Sequence, residues 1–177
     1  MGSYCIDQYN RAWYAVKVKF RAEKFVKELL QREGIESYVP LIQRQRLIRA
    51  KVRTTEIPLI HNYVFVRIKR SEYVSVLQTT HVFSFVQIVG MITAIPEQEI
   101  DLLRRIVNGN GDIELCDRNE LKSGQLVEVI AGDLTGLRGE IVECANGSQL
   151  VVDLKNISIS LRMTLDASQV IPLSLTV

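Results

Sequence analysis

At 177 residues the chain has room for one domain or two small ones, and 47% hydrophobic with 24% charged residues is an ordinary globular composition. No apolar run approaches the ~20 residues that span a bilayer, the first residues lack a signal-peptide pattern, and Cys5, Cys116 and Cys144 are too scattered for a disulfide frame or a zinc site, so a cytoplasmic protein with reduced thiols is expected. The formal net charge of +2 hides a division: residues 1–107 hold 17 Lys/Arg against 10 Asp/Glu, and residues 108–177 hold 5 against 10. A basic first half suits nucleic acid or an acidic protein face; the acidic second half is poorly suited to a phosphate backbone.

In chain order, residues 1–11 read as a tail. Trp13-Tyr14-Ala15-Val16-Lys17-Val18 is a strand by its aromatic and β-branched content. Ala22 to Glu33 sets Phe25, Val26, Leu29 and Leu30 at helical spacing, and Gly34 stops the helix. Strands follow at Ser37–Leu41 and Asn62–Ile68. Ser71–Leu77 reads as a short helix capped by Ser71, with Glu72 beside it. Val82–Val89 is a fourth strand, and Pro96-Glu97-Gln98-Glu99 opens a helix running through Ile106. This order predicts an α+β sandwich, with helices covering a mostly antiparallel sheet over residues 12–107.

Asn108-Gly109-Asn110-Gly111-Asp112 is rich in turn formers, so residues 108–120 are expected to be a linker. Residues 121–177 then read as five short strands, at Gln125–Ile130, Arg138–Cys144, Gln149–Leu154, Ser158–Met163 and Val170–Pro172, which fit a small β-barrel. Between the first two, apolar alternation through Val127 and Val129 gives way to Gly132, Gly136 and Gly139, the mark of a tight, bulged connection.

That stretch, from Gly124 to Gly139, resembles the KOW motif of small SH3-like barrels. The opening Trp-Tyr strand, the amphipathic helix, the basic hairpin and Pro58-Leu59-Ile60-His61-Asn62-Tyr63-Val64-Phe65-Val66 resemble the N-terminal (NGN) domain of the NusG family of transcription elongation factors. Together the two halves follow the NusG plan over residues 12–173. Ordinary NusG has Pro-Gly where this chain has His61-Asn62. Asn there is similar to RfaH, and the pair is similar to the UpxY group, antiterminators of capsular polysaccharide operons. The chain departs from RfaH at Ser75-Val76-Leu77-Gln78, which replaces a His-Thr-Thr-Thr run; Gln78-Thr79-Thr80-His81 comes several residues later, so that polymerase contact is not carried over.

The resemblance implies a processive antiterminator that binds the clamp helices of RNA polymerase through Ile60, His61, Asn62, Tyr63 and Phe65. Tyr63 and Phe65 share one strand face, which is either core or an exposed aromatic patch. A housekeeping elongation factor and a KOW-type RNA-binding protein are the competing functions. RfaH-like proteins read the displaced non-template DNA strand from the first strand's end and first helix, which implies Lys19, Arg21 and Lys24 here. Phe20 would stack on an unpaired base or be buried. Arg44, Arg46, Arg49, Lys51 and Arg53 form the densest charge run, either a solvated face or a basic arm near DNA or an acidic polymerase surface. Leu134 and Leu137 either plug the barrel or hold ribosomal protein S10 or Rho. The β-branched content of residues 149–161 agrees with a constitutive barrel and opposes a helical alternative. No phosphate loop or paired nucleophile is present, and His61 and His81 are the only histidines, so no enzyme activity, cofactor or metal is expected.

Overall fold

A computed structural model of the chain describes residues 6–48, 51–109, 113–116, 124–131, 134–144, 147–154, 159–164 and 169–173. Arg49, Gly132, Cys5 and the first residues of the expected tail lie outside them. Backbone packing divides the chain into two units, Met1–Asp101 and Leu102–Val177.

The first unit contains β1 (Ala12–Val18), α1 (Glu23–Arg32), β2 (Glu36–Tyr38), β3 (Leu41–Ile48), β4 (Lys51–Pro58), β5 (Tyr63–Ile68), a 3-10 turn (Arg70–Glu72), α2 (Tyr73–Gln78) and β6 (Val82–Phe85). The helix α3 (Glu97–Asn108) crosses the division. Four strands form a sheet in the order β2-β5-β1-β6, every pair antiparallel. The antiparallel sheet with helices agrees with the α+β expectation.

Register assigns the two faces of this sheet. Tyr14 pairs with Val66 and Val16 with Val64; with Val18 and Ile68 they share the core of Val26 and Leu30 from α1 and Val76 from α2. Trp13, Ala15 and Phe65 lie on the opposite face and are also buried. The continuous apolar run Tyr63-Val64-Phe65-Val66 is therefore a strand covered on both sides.

Local chemistry accounts for the ends of α1. Gly34, at φ +76°, takes the left-handed position just beyond the helix. Its N–H donates to the Gln31 carbonyl at 3.1 Å, and the Ile35 N–H donates to the Leu30 carbonyl at 2.9 Å. This is the Schellman arrangement, completed by the burial of both Leu30 and Ile35. Three expectations need correction. Ile6 is buried in the core and the Asp7 N–H donates to the Tyr14 hydroxyl at 3.2 Å, so the expected tail is anchored at residues 6 and 7, while residues 8–11 are exposed. The helical segment after β5 begins at Arg70, so Ser71 lies inside it rather than capping it. Phe25 is exposed on α1, because Ala22, Val26 and Leu30 at four-residue spacing supply the buried stripe.

The fourth strand is shorter than expected and irregular. Val16 pairs with Phe85, Lys17 with Ser84, and then Val18 with Val82, so the register skips Phe83. The skipped residue is exposed, whereas Val82 packs on the core. This is the effect of a β-bulge, which changes the face of every residue beyond it.

The second unit is a six-stranded antiparallel sheet of β7 (Ile113–Cys116), β8 (Gln125–Val129), β9 (Arg138–Cys144), β10 (Gly147–Leu154), β11 (Ile159–Thr164) and β12 (Val170–Pro172), in the order β12-β8-β9-β10-β11-β7. Five of the six are the strands expected from sequence. The sixth, β7, falls in the expected linker and pairs with β11, Leu115 opposite Leu161. Gly139 owes its identity to packing: a Cβ there would stand 2.6 Å from the Val151 carbonyl oxygen and 2.8 Å from Leu150 Cδ1. Gly136 has open space around it but a φ of +82°, a conformation that favours glycine. Val127, Val129, Leu134 and Leu137 are buried, so the loop leucines are not presented to solvent.

Candidate nucleic-acid interface

Three loops meet where β1 ends. The Val18 N–H donates to the Asn62 carbonyl at 2.9 Å, and the Lys19 N–H donates to the His81 carbonyl at 3.0 Å. Arg21, Asn62 and His81 all have positive φ, at 64°, 65° and 72°. Left-handed backbone in non-glycine residues is uncommon, and its concentration at one end of a sheet marks a place held by its surroundings.

Asn62 shows how the holding works. Its N–H donates at 2.8 Å to Oε1 of Glu23, a carboxylate only 2% exposed in the first turn of α1. Asn and Gly are the residues that enter the left-handed region at least cost, so Asn62 keeps the backbone geometry that Gly allows in the Pro-Gly form of this turn. Asn62→Gly is therefore expected to leave the melting temperature nearly unchanged. Asn62→Val retains the donor but forces a β-branched residue to positive φ, at a cost of about 1–2 kcal/mol. A thermal melt of both variants checks this; equal melting temperatures would contradict it.

Around this frame lies an exposed aromatic and basic surface. Phe20 is 58% exposed, its ring centroid 6.2 Å from that of His61, with the Arg21 guanidinium carbon 5.2 Å from the Phe20 centroid. Phe25 is 48% exposed, its centroid 5.8 Å from that of His81. Lys19, Arg21 and Lys24 are exposed beside them. Lys24 also meets Glu56 at 3.5 Å, a surface ion pair worth under ~1 kcal/mol. Exposed aromatic rings among cations can stack on unpaired bases and neutralise phosphates. The three expected DNA-contact residues are thus brought together with Phe20. Phe25 and His81 were not foreseen; helical spacing alone assigns Phe25 to the core.

The other expected residues are dispersed. Ile60 and Phe65 are buried, 1% and 0% exposed, so they do not form the aromatic surface that was one of two expectations for this strand. Tyr38 packs beside Phe65, with centroids 6.3 Å apart. On the same face the Trp13 indole donates to Glu97 Oε2 at 3.0 Å, where α3 begins. Tyr63 is half-buried; His61 and Asn62 are exposed. Arg44 and Arg53 are exposed on the β3–β4 hairpin, where Arg46 is paired in register with Arg53 and Lys51 with Ile48. Among the described residues, no group of three His, Cys, Asp or Glu is placed to hold a metal, and no helix is long and apolar enough to cross a membrane.

Comparison with known proteins follows the same division. The family model "Transcription termination factor nusG" matches residues 11–104. A solved structure, "Domain interaction in Thermotoga maritima NusG", is 21% identical, covers 90% of this chain and 96% of that one, and superposes with a TM-score of 0.53. The crystal structure of the MjSpt4:Spt5 complex, conformation A, is 17% identical over 91% of this chain and 97% of that one, with a TM-score of 0.29. A search of curated proteins returns no match. A family model that spans more than half of the chain, together with a fold shared along nearly its whole length, makes this protein a member of the NusG family of transcription factors, which are not enzymes.

Proposed function

We propose that this NusG-family protein is a specialised processive antiterminator, which binds the clamp helices of RNA polymerase and suppresses pausing and termination in a polysaccharide operon. The observation that carries the specialised reading is the exposed Phe20–His61 pair among Lys19, Arg21 and Lys24. A surface that can stack unpaired bases suits a factor recruited by the displaced non-template strand. Contact with the clamp helices centres on Tyr63, with Phe65 as buried support two residues along the strand. No chemistry is required: a protein bound more tightly to the closed, pause-resistant polymerase shifts the polymerase toward that state. Ribosomal protein S10 and Rho, the partners of the housekeeping reading, would meet the barrel loop that carries Leu134 and Leu137, whose side chains are buried.

Purified transcription on a template bearing the head of a polysaccharide operon tests this. The full chain should shorten pauses, and Phe20→Ala should weaken recruitment by the ~1–3 kcal/mol of one stacked base, roughly 5- to 150-fold in the concentration needed. Unchanged pausing with the native chain would overturn the antiterminator reading. Native potency in a folded Phe20→Ala variant would overturn the strand-reading role.

A further inference from the structure

The turn that joins β1 to α1 carries a cation where the backbone favours glycine. The Ala22 N–H donates to the Lys19 carbonyl at 3.0 Å, closing a four-residue turn with Phe20 and Arg21 at its centre. Arg21, the second of the two, has a φ of 64°. Gly and Asn are the residues that suit such a position, since other side chains are sterically disfavoured there. An outlier kept beside a binding surface points to a task for its side chain. Neutralising phosphate imposes no such geometry: Lys19 and Lys24 are exposed beside it and lie outside the left-handed region.

The Arg21 guanidinium carbon stands 5.2 Å from the Phe20 centroid, and His61 meets the same ring at 64°, with centroids 6.2 Å apart. The cation–π contact restrains a long side chain next to the ring on which an unpaired base would stack. Among the described residues Arg21 forms no ion pair, so its donors are available to a ligand. A guanidinium is a planar fork of N–H donors without an acceptor, and a bidentate contact to it needs two adjacent acceptors. Guanine offers N7 and O6. Unpaired cytosine offers N3 and O2. Adenine sets its amino donor beside N7, and thymine sets N3–H between its two carbonyls, so each meets the fork with a donor. We infer that Arg21 reads a base, selecting guanine or cytosine over adenine and thymine at the nucleotide beside the one stacked on Phe20. The inference rests on the reading of this surface as a site for unpaired bases and adds to it a preferred strand composition. A lysine could not replace Arg21 in this role, because a point charge lacks the fork.

The test uses the full chain, without polymerase, and fluorescent oligothymidylate strands in which one internal thymine is replaced by guanine, cytosine or adenine. The native chain should bind the guanine strand, the cytosine strand or both about 5- to 150-fold more tightly than the all-thymine and adenine strands. The favoured base names the edge that is read. R21K keeps the charge without the fork; it should bind oligothymidylate as the native chain does and lose the preference. R21G should melt no lower than the native chain, because glycine relieves the left-handed turn, and should lose the preference too. Equal native affinity for all four strands would overturn the inference and leave strand binding intact. A preference that survives in R21K would also overturn it. So would uniform weakening of all four strands by R21G with a salt slope shallower by about 0.7, the mark of a phosphate contact. A native chain that binds none of the strands would overturn the reading of the surface itself, and this inference with it.

Discussion

Phe65→Ala is expected to destabilise the first unit by about 3–5 kcal/mol, enough to lower its urea midpoint severely in the full chain. The side chain is fully buried, on the face of β5 opposite the main core, beside Tyr38 and paired in register with Ala15. Deleting a buried benzyl group removes its transfer free energy and leaves a cavity that a strand packed on both faces cannot easily close. Tyr63→Ala, two residues earlier at a half-buried position, should cost much less and leave the unit folded. Polymerase binding must therefore be probed at Tyr63, since loss of binding in Phe65→Ala would report unfolding. A native urea midpoint for Phe65→Ala would show that the face is open and restore the aromatic-patch expectation.

Gly139→Val should destabilise the six-stranded sheet by about 3 kcal/mol, the upper part of the range for overpacking. The added Cβ would meet a backbone carbonyl of the neighbouring strand at 2.6 Å, and a backbone atom in a ladder cannot step aside as a flexible side chain does. Gly136 makes the useful contrast, because its constraint is conformational. Gly136→Asn should be nearly neutral, as Asn tolerates the left-handed region, whereas Gly139→Asn should unfold the sheet about as readily as the valine variant. Denaturation followed by tryptophan-independent far-UV circular dichroism separates the two; equal behaviour of the two asparagine variants would refute the distinction.

Strands β1, β5 and β8–β12 were legible because apolar alternation or β-branched runs persist for long enough to set a period. Strand β7 was not. Ile113-Glu114-Leu115-Cys116 gives only two alternations and follows a run of turn formers, and its partner β11 lies more than 40 residues away in sequence. The burial of Phe65 did have a signal: four consecutive apolar residues in a strand indicate cover on both faces, whereas a one-sided strand alternates. The aromatic and basic surface at the end of β1 was legible in its charges, but Phe20 and Phe25 could not be placed from periodicity, which does not see the left-handed turns at Arg21 and His81. Likewise the run of cations at 44–53 was visible, but the pairing of Arg46 opposite Arg53 follows only from the hairpin register.

The skipped residue at Phe83 has a consequence for solubility. Strand β6 ends the four-stranded sheet, and Val82-Phe83-Ser84-Phe85-Val86 is uncharged and rich in β-formers, the composition of a sequence that recruits further strands. An uninterrupted ladder along that edge would offer a straight template to another copy of the chain. The irregularity instead breaks the spacing of the edge hydrogen-bonding groups and increases the local twist, a device by which natural sheets keep their margins from growing. Deleting Phe83 would straighten the margin while sparing the apolar contacts of Val82 and Phe85, and would leave the chain more prone to self-association.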